Sequence, residues 1–151
     1  MPQFRQYPQA NSIISTDAFL IDRIGIGTMY IEAQNMPFSS NPAYDIAMNV
    51  EGSIPTSVPL FVFNAVRSYS IPTDAAGSKF TVQTAPSSSF ALTVNHNSSP
   101  VGSITFAANS NVGTATMTNT SFVSGDELIV YTPSDVHGAQ TLAITFAGSK
   151  S

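Results

Sequence analysis

From Phe90 to Gly148 apolar and polar positions alternate in short bursts. Phe90, Leu92 and Val94 alternate with Ala91, Thr93 and Asn95, and Ile104 with Phe106 repeats the pattern. Leu128, Ile129, Val130 and Tyr131 form a short apolar run, and Leu142, Ile144 and Phe146 close the series. Period-two alternation over about four to eight residues, bounded by Gly, Asn, Ser and Pro, marks half-buried β-strands.

Upstream the same period recurs with more punctuation. Asp17 to Ala33 predicts a hairpin, with Phe19–Ile21 on one arm and Thr28–Glu32 on the other, and with Gly25 and Gly27 allowing positive φ or a bulge. A loop around Pro37 and Pro42 leads to Ala43–Val50, which suits one or two helical turns or a strand and is read as a strand, and then to a linker-like stretch Glu51–Pro59. Leu60–Val66 is the most hydrophobic run and predicts a buried strand, which Ser68–Ile71 continues past a bend. A turn at Thr73–Ser78 precedes a strand through Phe80 and Val82. No long amphipathic helix is visible, and Gly and Pro return every ten or so positions, the spacing of an all-β sandwich or barrel.

A unit of about 60 residues is marginal without cross-links, so the strands from residue 54 onward are expected to share one core. The expected organisation is an extended N-terminal arm at 1–16, a small β-hairpin assembly unit at 17–53, and an antiparallel, jelly-roll-like β-sandwich at 54–151. The arm is poor in periodicity and carries Pro2 and Pro8; it is read either as a segment that orders on a partner or as a short terminal strand.

Composition sharpens this picture. The chain has 151 residues, 42% hydrophobic but only 9% charged, where a soluble domain usually has about a quarter. Ser, Thr, Asn, Gln and Gly replace the missing charge, which suits burial against other subunits or neutral ligands. A net charge of −4, with Arg5, Arg23, Arg67, Lys79 and Lys150 scattered, gives no basic stripe for nucleic acid. There is no cysteine for a disulfide framework or a Cys-ligated zinc. No run nears the ~20 apolar residues of a membrane helix. The polar start is unlike a secretory signal, so assembly in a cytoplasm is expected.

Five segments carry a resemblance. Phe90-Ala-Leu-Thr-Val-Asn-His, Val101-Gly-Ser-Ile-Thr-Phe-Ala-Ala, Ser124-Gly-Asp-Glu-Leu, Thr132-Pro-Ser-Asp and Leu142-Ala-Ile-Thr-Phe-Ala-Gly follow one another in order. Together they resemble a β-sandwich module of tailed-bacteriophage structural proteins, over about residues 58–148. Thr16-Asp-Ala-Phe-Leu-Ile-Asp-Arg is similar to the opening of many tail-fibre and head-associated proteins. The chain departs from the module at Asn97-Ser-Ser-Pro, where an Asn-Gly turn is common, and at Ser134–Ala139, so these two loops are expected to carry private function.

The candidate chemistry is thin. Ser134, Asp135, His137 and His96 are the only residues one could assemble into a hydrolytic triad, but no Gly-x-Ser-x-Gly turn exposes a nucleophile, and exposed loop histidines account for them. Asp126, Glu127 and Asp135 match no calcium loop, whereas Gly125-Asp126 suits a tight turn before a strand. Asp22-Arg23 is read as an ion pair or a turn. Two Asn-x-Ser/Thr matches, at Asn97 and Asn119, are read as incidental without a secretory signal. Tyr69, Tyr131 and His96 are weighed as a sugar-stacking platform against core-rim packing.

No enzyme activity, cofactor or metal is therefore expected. The resemblance implies a virion structural protein, a capsid decoration or cement protein or a head-fibre subunit, that forms homo-oligomers and binds the major capsid protein or other head or tail subunits. Arm contacts are expected from Phe4, Arg5, Tyr7, Ile13 and Ile14, and exposed loop contacts from His96, Asn97, Ser134, Asp135 and His137. The alternative is a tail-fibre or receptor-binding module whose loops hold host glycan.

Overall fold

The computed structural model describes two strands, β1 (Ala18–Arg23) and β2 (Gly27–Glu32), and residues 42–151. β1 and β2 form an antiparallel hairpin in which Phe19 stands opposite Ile31 and Leu20 opposite Tyr30. Asp22 and Arg23 are strand residues here, in register with Thr28 and Gly27, rather than a turn. The expected arm contacts Phe4, Arg5, Tyr7, Ile13 and Ile14 lie outside the described residues, as do Gly25 and the Pro37 loop.

Residues 42–151 are all β apart from one 3-10 turn at Thr73–Ala75. One sheet has five strands in the order β4 (Pro59–Asn64), β11 (Glu127–Tyr131), β7 (Phe90–His96), β8 (Ser99–Phe106), β9 (Gly113–Met117). A three-stranded sheet sets β12 (Gln140–Phe146) between β3 (Ile46–Ser53) and β6 (Lys79–Thr84). Another sets β5 (Tyr69–Ile71) between β10 (Thr120–Phe122) and β13 (Ser149–Lys150). Every pairing is antiparallel. The chain crosses between sheets after β3, β4, β5, β6, β9, β10, β11 and β12, the jelly-roll-like trait, while β7–β8–β9 run as a meander.

The alternation seen in the sequence explains the core. Phe90, Leu92 and Val94 of β7, Ile104 and Phe106 of β8, and Leu128 and Val130 of β11 are buried on one side of the five-stranded sheet. They meet Phe80, Val82, Leu142, Ile144 and Phe146 of one small sheet and Tyr69, Ile71 and Phe122 of the other, in a single cluster. Rings interlock within it: Phe80 meets Phe146 edge-on at 5.5 Å and Phe90 stacks on Phe106 at 5.1 Å. Such pairs add about 0.5–1.5 kcal/mol beyond the area they bury.

Three expectations change. Ile46–Ser53 pairs along β12, with Ile46 opposite Phe146 and Met48 opposite Ile144, so it is a sandwich strand and not the end of a 17–53 unit. The chain divides by its contacts at Ser40/Asn41 instead. The strand absorbs Glu51-Gly52-Ser53 from the supposed linker because Gly52, at φ +70°, lets the chain bend without leaving the ladder. Finally, Leu60–Val66 is only partly buried: Ala65 is enclosed and Leu60, Phe61 and Phe63 pack against the core. It supplies β4, an outer strand of its sheet, and Val62 and Val66 are 47% and 70% exposed.

Candidate functional site

The residues singled out in the sequence fall into two clusters at opposite ends of the five-stranded sheet. His96 ends β7 opposite Leu128, the start of β11, whereas Ser134–His137 follow the far end of β11, where Tyr131 stands opposite Thr93. A strand of β7's length spans about 20 Å, so His96 and the Ser134–His137 loop do not form one catalytic group. Among the described residues no three His, Cys, Asp or Glu side chains come together as a metal site.

The first cluster is built around Asp126. β7 and β8 join through a tight turn at Asn97-Ser98, where Asn97 takes φ 53°, a conformation asparagine tolerates. That turn presents Asn97 to the start of β11. Its Nδ2 donates to Asp126 Oδ1 (3.1 Å), the Glu127 N–H donates to Asn97 Oδ1 (2.8 Å), and the Asn97 N–H donates to the Glu127 carbonyl (2.8 Å). Val123 N–H donates to Asp126 Oδ2 (2.9 Å) and Asp126 N–H to the Val123 carbonyl (3.0 Å), closing the turn expected at Gly125-Asp126.

His96 completes this cluster, and it is not the exposed loop residue expected. It continues the Phe90, Leu92, Val94 alternation, so its ring turns inward and lies against Phe122 with centroids 4.6 Å apart. Its Nε2 stands 2.9 Å from Asp126 Oδ2, an ion-pair distance, though the ring N–H points off the line of a straight hydrogen bond. Beyond Phe122 the rings continue: Tyr69 stacks on Phe122 at 4.6 Å and on Tyr44 at 5.1 Å. Burial holds the Tyr69 phenol well above its ordinary pKa, with Tyr44 and the charge of Asp126 adding to the effect.

These contacts lower the Asp126 pKa from 3.8 to about 2, mainly through the Val123 N–H, then through Asn97 and His96. A carboxyl depressed in the folded state contributes stability above its unfolded pKa and loses it as pH falls through the folded one. The stability gap between the unmodified chain and Asp126→Asn is therefore expected to be full at neutral pH. It should narrow as pH drops below 3.8 and close near 2. Urea unfolding across that range checks this, and a gap independent of pH would contradict it.

The second cluster is a clasp. His137 N–H donates to Asp135 Oδ1 (2.7 Å) and its Nδ1 lies 3.3 Å from Asp135 Oδ2. The His137 carbonyl accepts from the Ser87 N–H (2.9 Å) and Ser87 Oγ (3.2 Å). Val136 and Ala139 are buried beneath, leaving Ser134 and Asp135 exposed and His137 half-buried. Ser134 makes none of these contacts, so nothing activates its hydroxyl. The sugar platform is not assembled either: Tyr69 is fully buried, and Tyr131, in register with Thr93, stands on the opposite face of the sheet from His96.

The third feature was not anticipated. Among the described residues nothing pairs with the outer edge of β4. Val58 and Val66 flank this strand, Val62 lies within it, and all three are exposed. No residue from Val58 to Val66 is charged. The sequence signal was present in this uncharged apolar run; its position at a sheet edge depended on which strands pair. In comparisons with protein-family models, curated proteins and solved structures, nothing matches this chain.

Proposed function

We propose that the chain is a structural subunit of a tailed-bacteriophage virion, a capsid decoration or cement protein or a head-fibre subunit. It binds neighbouring virion subunits through its N-terminal part and displays the sandwich. One observation carries this reading. The five segments that resemble the phage module fall in order on β7, on β8, on the turn into β11, on the exit from β11 and on β12, so the resemblance follows the architecture of one domain. A chain with only 9% charged residues supports it, because charged residues are depleted from the cores of subunit interfaces.

In particles made from the genome that encodes the chain, electron microscopy is expected to locate it at a fixed, symmetry-related copy number. Deleting residues 1–16 is expected to remove it from particles while circular dichroism still reports the β-domain. Purified particles that lack the full chain would overturn the virion reading. A deletion variant that enters at normal copy number would overturn the role of the arm.

A further inference from the structure

We infer that the outer edge of β4 is a docking edge for a second copy of this chain, paired antiparallel about a two-fold axis at Val62. The pairing rests on the fold alone, and it stands or falls separately from the virion reading.

The other outer strands of residues 42–151 are each guarded. β9 and β6 are tied across their edges: Met117 N–H donates to Asp74 Oδ1, and Asn111 Nδ2 donates to the Val82 and Gln83 carbonyls. Val82 N–H donates to the Asn111 carbonyl, and Thr81 bridges Val112. β3 carries Glu51 and bends at Gly52 where its register slips. β10 and β13 have three and two residues. Charges, bends, covers and short length are the means by which sheets avoid edge-to-edge pairing. β4 has six residues, and its only devices, Pro59 at the first position and a register slip at Leu60, sit at its start and leave Phe61–Asn64 regular and uncharged.

The backbone of β4 is set for pairing. Ala65 N–H donates to the Asp126 carbonyl (2.7 Å), and Phe63 and Phe61 stand opposite Leu128 and Val130. Antiparallel pairs alternate between bonded and non-bonded, so Val62 and Asn64 turn their N–H and C=O groups to the open side. Pro59, which has no N–H, stops the open ladder at the start of the strand.

The occupant follows from the placement of the exposed valines. A two-fold axis at Val62, the exposed valine within β4, sets Val62 against its own copy, with Val58 and Val66 exposed in the bends at either end of the strand. Leu60 meets Asn64, and no residue from Val58 to Val66 is charged, so no like charges face each other along the pairing. One strand edge hides less surface than a standard interface, so the dimer should be concentration-dependent and exchange freely.

Single cysteines test the register, since the chain has none of its own. At a bonded antiparallel pair the Cα atoms lie about 5.5 Å apart, inside the roughly 4.4–6.8 Å range of a disulfide. Across the same two-fold axis two copies of residue 66 are about 26 Å apart. On mild oxidation of the full-length chain, Val62→Cys is expected to form covalent dimer at least tenfold faster than Val66→Cys. Random collision would favour Val66→Cys, the more exposed site at 70% against 47%.

Sedimentation of the unmodified chain from micromolar to millimolar concentration should show reversible dimer, and Val62→Lys, which opposes two charges, should abolish it. Equal cross-linking of the two cysteine variants would overturn the pairing. So would a chain that stays monomeric throughout, or a Val62→Lys variant that dimerises normally.

Discussion

Replacing Phe122 with alanine is expected to cost about 3–5 kcal/mol, the range for deleting a buried aromatic ring. Phe122 is fully buried, stacks on Tyr69 at 4.6 Å with an interplanar angle of 6°, and carries the His96 ring at 4.6 Å on another side. Its removal leaves both rings without a wall, and β10, only three residues long, has few other contacts to hold it. Against a total stability of about 5–15 kcal/mol, this is a large fraction. For a domain of this size the melting temperature should fall by roughly 20 °C. Thermal melts followed by near-ultraviolet circular dichroism check it. A fall of only a few degrees would mean that the stack is not a principal support of the core.

Gly102→Ala should be nearly as damaging, for a different reason. Gly102 lies in β8 opposite Met117 of β9. A Cβ there would overlap Met117 Cβ and sit 2.5 Å from the Thr116 carbonyl oxygen and 2.6 Å from Met117 Cα. Two of those atoms are backbone, so no rotamer change relieves the clash and β8 must part from β9. Overpacking typically costs about 1–3 kcal/mol, and a backbone clash belongs at the upper end. Amide exchange should accelerate along Gly113–Met117 more than in β11 or β12. Unchanged protection in β9 would show that the strands already stand further apart. Gly125→Ala offers a contrast, because no atom stands within 4 Å of the added carbon and only its φ of +97° opposes the change.

The period-two pattern made β7, β8 and β12 legible in the sequence because each buries one face, and alternation is the direct record of that asymmetry. β4 misled for the converse reason. Leu60-Phe61-Val62-Phe63 is apolar on both faces, which usually means burial on both sides, yet here one edge and part of one face are left open. β3 was half legible: its strand character showed, but its partner lies far along the chain, and no local pattern names it. His96 is the clearest case among the site residues. Its position in the 90, 92, 94, 96 series placed it inside, while its polarity suggested a loop; the series was the better guide. The link from Asn97 to Asp126 joins residues 29 apart, so only the pairing of β7 with β11 brings it about.

β12 is the middle strand of its sheet, and its partners arrive long before it does. Ile46 of β3 is opposite Phe146, and Phe80 of β6 is opposite Ile144. As a ribosome delivers the chain, β3 and β6 emerge and wait with no strand between them, their apolar sides open to any passing surface. The central seam closes only when Gln140–Phe146 has cleared the exit tunnel. Folding of this domain is thus a late, all-at-once event governed by distant ends meeting, of the slow kind seen when pairings are non-local. A high rate of synthesis puts many such half-built sheets in one place, where unpaired strand edges favour aggregation.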